Sequence, residues 1–263
     1  KIKKSLYAQT LILINRLEYF QKFPSNHVFN NARSLYFSSL LFENEYFHSI
    51  SISIIKNELK NLITVDGFLR EGSSHYQFLF TRWFLEIYIF AIHFNDQKML
   101  KTMKPNINKL INACSFFLVK NENNNSIPFF GDISPDFKPS WLIDILDSSI
   151  FNKRIKTTEY SSWNNLFRDK VNFFENNPDP ENKYNNEFPL SGWFKYQNKK
   201  AKLFMRSNKE EPIPWPGHFH EDFGHFCLYV NNLPLIIDPG RTNYNNEDFC
   251  TSEYHNTVTV NDV

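Results

Sequence analysis

The sequence predicts an α+β protein in two parts, in which helical hairpins are followed by an antiparallel β domain. Over residues 1–119, apolar side chains recur every three to four positions, as they do in amphipathic helices. After Phe188 the apolar period changes to two, as in half-buried strands. Runs of helices followed by runs of strands favour an α+β architecture. The predicted parts are residues 1–188, with a linker at about 170–188, and residues 189–263.

Helical spacing of apolar residues predicts helices at 1–24, 27–46, 76–94, 99–119 and 140–152. Ser25 or Asn26 is a candidate cap for the second of these helices. Residues 48–63 alternate like a strand in their first half and follow a helical period in their second, and we predict a helix there. The dipeptide Asp66-Gly67 is typical of a turn.

Alternation of apolar and polar residues predicts strands at 193–196, 201–206, 225–230, 234–237 and 257–260. The Asn231-Asn232 dipeptide between the third and fourth of these predicts a turn, so that the two form a β-hairpin. Polar side chains able to bind a metal or to move protons lie at both ends of this hairpin.

The composition excludes several classes of protein. Basic and acidic residues number 29 and 28, so no basic surface dominates and we expect no nucleic-acid partner. Cys114, Cys227 and Cys250 show no CxxC spacing, which argues against a disulfide framework or a cysteine-based zinc site. We expect no membrane span, because the chain lacks a run of about 18 apolar residues. The chain does not begin with Met, and we interpret it as an excerpt of a longer protein.

The predicted hairpin carries a candidate zinc site. In His218-x-His220, both imidazoles would lie on one face of a strand, because side chains alternate. His220, Asp238 and His255 form a suitable set of zinc ligands on adjacent strands. Their spacing is loose, and surface histidines near strand ends are an equally open interpretation.

Three further polar segments lie in the first part. Asn26-His27 begins a predicted helix, where N-capping is the simpler interpretation. The polar loop Asp66 to Tyr76 has the pattern D-G-x-x-x-E-x-S-x-x-Y and contains Arg70 and Glu71. Gly131-Asp132 follows, and a turn explains it equally well.

In their order along the chain, these segments resemble the heparinase II/III-like polysaccharide lyases, which include heparinase, alginate lyases and oligoalginate lyases. The resemblance runs from about Pro24 to Val263 and is most specific in HFHEDFGHFCLYVNNLPLIIDPG, followed by EYHNTV. It implies an α/α toroid of helical hairpins followed by an antiparallel β-sandwich, with both parts truncated.

The resemblance also implies an activity, the β-elimination of a glycosidic bond to a uronic acid in an anionic polysaccharide. Asn26, helped by His27, matches the residue that neutralises the uronate carboxylate. Tyr76 and His218 match the acid–base pair, and either could take the proton from the sugar. Arg70 and Glu71 match the family's substrate loop only loosely, and a solvated arginine is an open alternative.

Some relatives hold a structural zinc ion through residues that match His220, Asp238 and His255. The resemblance further implies a periplasmic, secreted or cell-surface protein of a bacterium. Two other functions stay open: a catalytically inactive glycan-binding or polysaccharide-assembly protein of the same fold, and a zinc hydrolase in which Glu221 would be the base. The chain departs from the family in its small number of helical hairpins.

Overall fold

The computed structural model describes residues 1–18, 26–119, 126–133, 187–207, 220–240 and 250–258. Its helices are α1 Ile2–Asn15, α2 Asn26–Phe42, α3 Glu45–Leu62, α4 Ser74–His93, α5 Gln97–Met103 and α6 Ile107–Phe117. A five-stranded antiparallel sheet follows them, which confirms the predicted fold class. The helix predicted at 140–152 and residues 170–186 of the predicted linker lie outside the described residues. The domain boundary therefore stays a prediction.

Three predicted helices are wrong in extent. The helix predicted at 1–24 ends at Asn15, and the helix predicted at 27–46 ends at Phe42, before the Glu43-Asn44 connection to α3. Residues 99–119 were expected to form a single helix, but the chain forms α5 and α6 with a turn at residues 104–106 between them. Pro105 accounts for the break, because proline lacks the N–H of the helical ladder and its ring clashes with the preceding turn. The helix predicted for residues 48–63 is confirmed as α3.

Helices α2 and α4 pack side by side and run parallel. The rings of Phe29 and Phe80 lie 4.4 Å apart, and those of Phe37 and Phe90 also lie 4.4 Å apart. Since residue numbers rise together along both helices, their N-termini lie at the same end of the helical layer. None of the helices in the described ranges combines the length and the apolar character needed to span a membrane.

Helices α3 and α6 run in the opposite direction. A two-residue connection, Glu43-Asn44, folds α3 back against α2, as expected for an antiparallel helical hairpin. On α6, the Cys114 thiol donates to Thr81 Oγ1 at 3.2 Å and to the Gln77 carbonyl at 3.7 Å, both on the N-terminal half of α4. The C-terminal end of α6 therefore lies beside the start of α4.

The strands are β1 Glu187–Phe188, β2 Trp193–Gln197, β3 Ala201–Arg206, β4 Phe226–Val230 and β5 Leu233–Ile236. They pair in chain order, each antiparallel to the next. Asn231 and Asn232 both have positive φ angles, 51° and 62°, which suits the tight turn predicted between β4 and β5. The strand predicted at 257–260 is not formed by Thr257 and Val258, since Thr257 N donates within a turn to the His255 carbonyl at 2.9 Å.

The sheet packs against the end of the helical layer at which α4 begins. The indole of Trp193 on β2 lies 5.8 Å from the ring of Phe68, 4.8 Å from that of Phe117 and 5.1 Å from that of Phe130. Aromatic pairs of this kind contribute about 0.5–1.5 kcal/mol each beyond their buried area. On the same strand, the Lys195 ammonium donates to the Phe116 carbonyl at 2.8 Å, at the last turn of α6. The start of α4 is thus enclosed by the sheet.

Candidate active site between the helix ends and the sheet

Two predicted catalytic residues begin adjacent parallel helices. Asn26 is the first residue of α2 and is 3% exposed, and Tyr76 is the third residue of α4 and is 9% exposed. Because α2 and α4 are parallel and in contact, the structure brings both side chains to the same end of the layer. The positive dipole ends of the two helices favour an anionic group there.

His27 differs from its neighbour Asn26. Its side chain is 62% exposed, and its Nδ1 lies 2.7 Å from Glu18 Oε2 in a surface ion pair. Consecutive residues of a helix point about 100° apart, so one can be buried while the next faces solvent. The predicted role of His27 as a helper of Asn26 stays a prediction.

The loop before α4 is fixed to the sheet through a glycine. Gly72 has a φ of +70°, and a Cβ atom built there would lie 1.8 Å from Nη2 of Arg206 on β3. The Arg206 guanidinium donates from Nη1 to both carboxylate oxygens of Asp222, at 2.9 and 2.7 Å, in a buried ion pair. Next in the chain, Ser73 Oγ accepts from the Tyr76 backbone N–H at 3.0 Å and caps α4. The position of Tyr76 is therefore coupled to the sheet.

Arg70 and Glu71 belong to the same loop, with Glu71 buried and Arg70 partly exposed. An isolated bridge between Ile63 and Leu69 closes the loop as a small hairpin, and the Arg70 N–H donates to the Leu62 carbonyl at 2.9 Å. Their predicted contact with substrate stays a prediction.

The predicted metal ligands fall into two adjoining buried clusters. In one, His220 Nε2 lies 2.7 Å from Asp132 Oδ1, with Cys250 within 4.8 Å of both ligand atoms. In the other, Asp238 Oδ2 lies 2.8 Å from His255 Nδ1 and 3.0 Å from Nε2 of a third histidine, His225.

The rings of His220 and His255 lie 5.1 Å apart and join the two clusters. Of the three predicted ligands, the structure brings Asp238 and His255 into direct contact, while His220 meets them through this ring contact.

The environment of Asp238 stabilises its charged form. Burial alone would raise the pKa of Asp238, but hydrogen bonds from His225 and His255, together with their charges, hold it well below its usual range. For His255, burial would lower the pKa, and the hydrogen bond and charge of Asp238 raise it above the usual value. Each partner of this buried pair thus favours the charged form of the other.

The chemistry of these clusters fits a zinc ion. Nδ1 of His220 and Nε2 of His255 are buried, and neither atom has a hydrogen-bond partner among the described residues. A buried nitrogen without a partner costs about 1–3 kcal/mol, and coordination to a metal removes that cost. Imidazole and carboxylate donors, the types found in this cluster, are ligands that zinc favours. Zinc binding itself stays a prediction.

Several polar residues around the site were not predicted to have a role in it. Asp132 was noted only as part of a Gly-Asp turn, and His225 only as the start of a strand. His225 alternates with Cys227, and both contact the 126–133 segment: the His225 ring lies 4.9 Å from that of Phe130, and the Cys227 thiol donates to the Phe129 carbonyl at 3.5 Å. Arg206 gave no sequence signal, and Asp222 was noted only as the last residue of the H-x-H-x-D pattern that begins at His218. His218, the predicted second catalytic group, lies outside the described residues.

Comparisons with known proteins find a family model and solved structures that resemble this chain. Residues 180–263 match the family model described as heparinase II/III-like, C-terminal. The crystal structure of heparinase III superposes with a TM-score of 0.69 at 17% identity, covering 98% of this chain and 42% of that one.

The heparan sulfate lyase HepC from Pedobacter heparinus superposes with a TM-score of 0.57 at 19% identity, covering 89% of this chain and 35% of that one. No curated protein sequence gives a significant match. The chain thus spans less than half the length of these structures. Its C-terminal region matches the heparinase II/III-like family and its fold is that of heparinase III, which confirms the resemblance carried by the sequence motifs.

Proposed function

We propose that the protein is a polysaccharide lyase that cleaves an anionic, uronic-acid-containing polysaccharide by β-elimination. The observation that carries the proposal is the placement of Asn26 and Tyr76, which lie buried at the starts of two parallel helices next to the sheet. The likeness in fold to heparinase III and to a heparan sulfate lyase supports the reaction class. We further propose that the protein acts in the periplasm of a bacterium, at its cell surface or after secretion, where it would meet a polysaccharide substrate.

In this mechanism the uronate carboxylate binds at the start of α2. The Asn26 amide donates hydrogen bonds to it, and the helix N-termini add positive potential, so that the negative charge developing next to C5 is stabilised. One member of the pair Tyr76 and His218 takes the C5 proton. The electron pair forms the C4–C5 double bond, the C4–O bond breaks, and the other member protonates the leaving oxygen.

We propose that His220, Asp238 and His255 hold a structural zinc ion. When bound, the ion would cross-link the segments on either side of the β4–β5 hairpin and would leave the acid–base chemistry to the residues named above. Full burial of the three side chains, each 0% exposed, supports this role. It also argues against the zinc hydrolase, which requires a position open to water and substrate. Glu221, its candidate base, is exposed, and its Oε2 accepts from Ser252 N at 3.3 Å.

The direct test is absorbance of the unsaturated uronate product when the full-length protein is incubated with a panel of uronate polysaccharides. Tyr76→Phe and Asn26→Ala should each reduce turnover by about 10²-fold or more. Tyr46→Phe is the matched control, because Tyr46 is an exposed tyrosine on α3. Glycan binding without any unsaturated product would favour the catalytically inactive binding protein instead.

A further inference from the structure

A pocket of about 380 Å³ lies on the helical part, between α3, the 63–73 loop and the α5–α6 turn. Four of its lining residues are cationic: Lys56, Lys60, Arg70 and Lys109. None of its lining residues is acidic. In a chain with 29 basic and 28 acidic residues, this concentration of positive charge is a local feature and does not follow from composition.

Local structure holds these cations together. Lys56 and Lys60 are four residues apart on α3 and therefore share one face of the helix. The turn at Gly67 packs directly on the first turn of α6, since a Cβ atom built at Gly67 would lie 2.4 Å from the backbone carbonyl of Lys109. This contact brings α6 against the loop that carries Arg70. Packing of the loop backbone on α6 therefore holds Arg70 and Lys109 at the same pocket.

The three lysines are exposed at the rim, and no described carboxylate forms an ion pair with them. Like charges gathered on one surface repel each other, and an anion relieves that repulsion. The floor of the pocket is apolar and includes Leu59 and Ile63, which are both buried. An apolar floor with a cationic rim suits a sugar ring that carries acidic substituents.

We propose that this pocket is a second anion-binding site, which holds the carboxylate or sulfate groups of an acidic glycan apart from the residues that cleave it. The choice of a glycan as ligand rests on the proposed function. The position of the pocket supports it, because the 63–73 loop lines the pocket on one side and leads through Gly72 and Ser73 into Tyr76 on α4. Arg70 at the pocket and Tyr76 on α4 are thus six positions apart in the chain, and a polysaccharide that reaches both would place acidic groups beside these cations.

The test compares two triple variants of the full-length protein, both in a Tyr76→Phe background so that bound polymer is not consumed. The pocket variant is Lys56→Gln/Lys60→Gln/Lys109→Gln. The control, Lys3→Gln/Lys4→Gln/Lys199→Gln, removes the same charge from exposed positions on α1 and the β2–β3 turn. The probes are alginate and heparan sulfate octasaccharides, titrated by calorimetry at low and high salt.

We expect the pocket variant to bind at least one probe roughly tenfold more weakly at low salt, because three exposed charge pairs are lost, while the control stays within about twofold of the parent. The difference should shrink at high salt because the charges are exposed. Equal affinities for the two triple variants would overturn the proposal. So would equal displacement of the glycan by a single-stranded oligonucleotide of matched charge, because the pocket would then bind polyanions in general.

Product formation by the protein with Tyr76 intact separates this proposal from the proposed function. If polymer is cleaved and the two triple variants bind alike, the pocket proposal fails and the lyase stands. If binding depends on the pocket but no unsaturated product forms, the lyase fails and the pocket stands. Thermal unfolding of both variants checks that the fold is intact, and surface substitutions of this kind change stability by only about 0.5 kcal/mol.

Discussion

Replacing Gly72 by alanine should destabilise the protein far more than an ordinary glycine substitution in a loop. The φ angle of +70° costs a residue with a Cβ atom about 1–2 kcal/mol. The new methyl group would also occupy the position of the Arg206 guanidinium, whose Nη2 lies 1.8 Å from the ideal Cβ. The arginine must therefore move.

That movement is costly even though arginine is a flexible side chain. Its Nη1 donates to both oxygens of Asp222, which is fully buried, and its guanidinium stacks 5.5 Å from the centre of the Trp193 ring. Breaking a buried ion pair costs about 3–5 kcal/mol. We therefore expect Gly72→Ala to lower the free energy of unfolding by about 4–7 kcal/mol, which is a large part of the 5–15 kcal/mol typical of a domain.

Chemical denaturation followed by circular dichroism measures this change, and Gly224→Ala is the matched control. Gly224 also has a positive φ, +74°, but its nearest contact to an added Cβ is Thr257 Oγ1 at an ordinary 3.5 Å. The control should lose only about 1–2 kcal/mol. In an Arg206→Ala background, Gly72→Ala should fall to the same value as the control. Similar losses for Gly72→Ala and Gly224→Ala in the native background would refute the assigned contact.

Three further predictions concern charge. Burial lowers the pKa of Lys195 to about 8, so as pH rises the folded state loses this proton before the unfolded state does. The free energy of unfolding should therefore rise by about 2 kcal/mol between pH 8 and 9.5. Lys195→Met should abolish that rise in denaturation curves. Asp96→Asn should cost about 1–2 kcal/mol at pH 7, because Asp96 caps α5, pairs with His48 and accepts from the Tyr36 hydroxyl. Hydrogen bonds outweigh burial and lower the pKa of Asp96, so this cost should vanish as pH falls through that pKa. Chelation of zinc should lower the melting temperature, and elemental analysis should find no zinc in His255→Ala.

The helical spacing of apolar residues predicts where the helices lie, but it does not predict every helix end or break in the backbone. The extent of α5 and α6 was missed for an identifiable reason. The apolar residues Met99, Met103, Ile107 and Leu110 keep one helical period across Pro105, and all four are buried. The packing surface is thus continuous while the backbone is not, and a pattern of side chains does not detect that difference.

The site was predictable where its residues lie in short motifs and hidden where long-range pairing creates it. Tyr76 and Asp238 belong to local patterns of turn and helix-start residues. Asp132 and His220 are separated by 88 positions, yet their side chains meet at 2.7 Å. Only the folded chain gives that contact, because no local preference couples a loop after α6 to a segment before β4.

The two ends of the α2–α4 pair now have distinct physical roles. At the far end, the Asp96 carboxylate accepts from the Tyr36 hydroxyl on α2 and pairs with the His48 ring on α3. The same carboxylate also caps α5. At the near end the polar groups of the helix starts face the sheet, and the linkage runs through Gly72 and Arg206. Stability at the far end depends on a closed hydrogen-bond network, whereas the near end also carries Asn26 and Tyr76, where the proposed substrate would bind. Substitutions at the far end should therefore change unfolding and leave substrate binding unaltered, while those at the near end should change both.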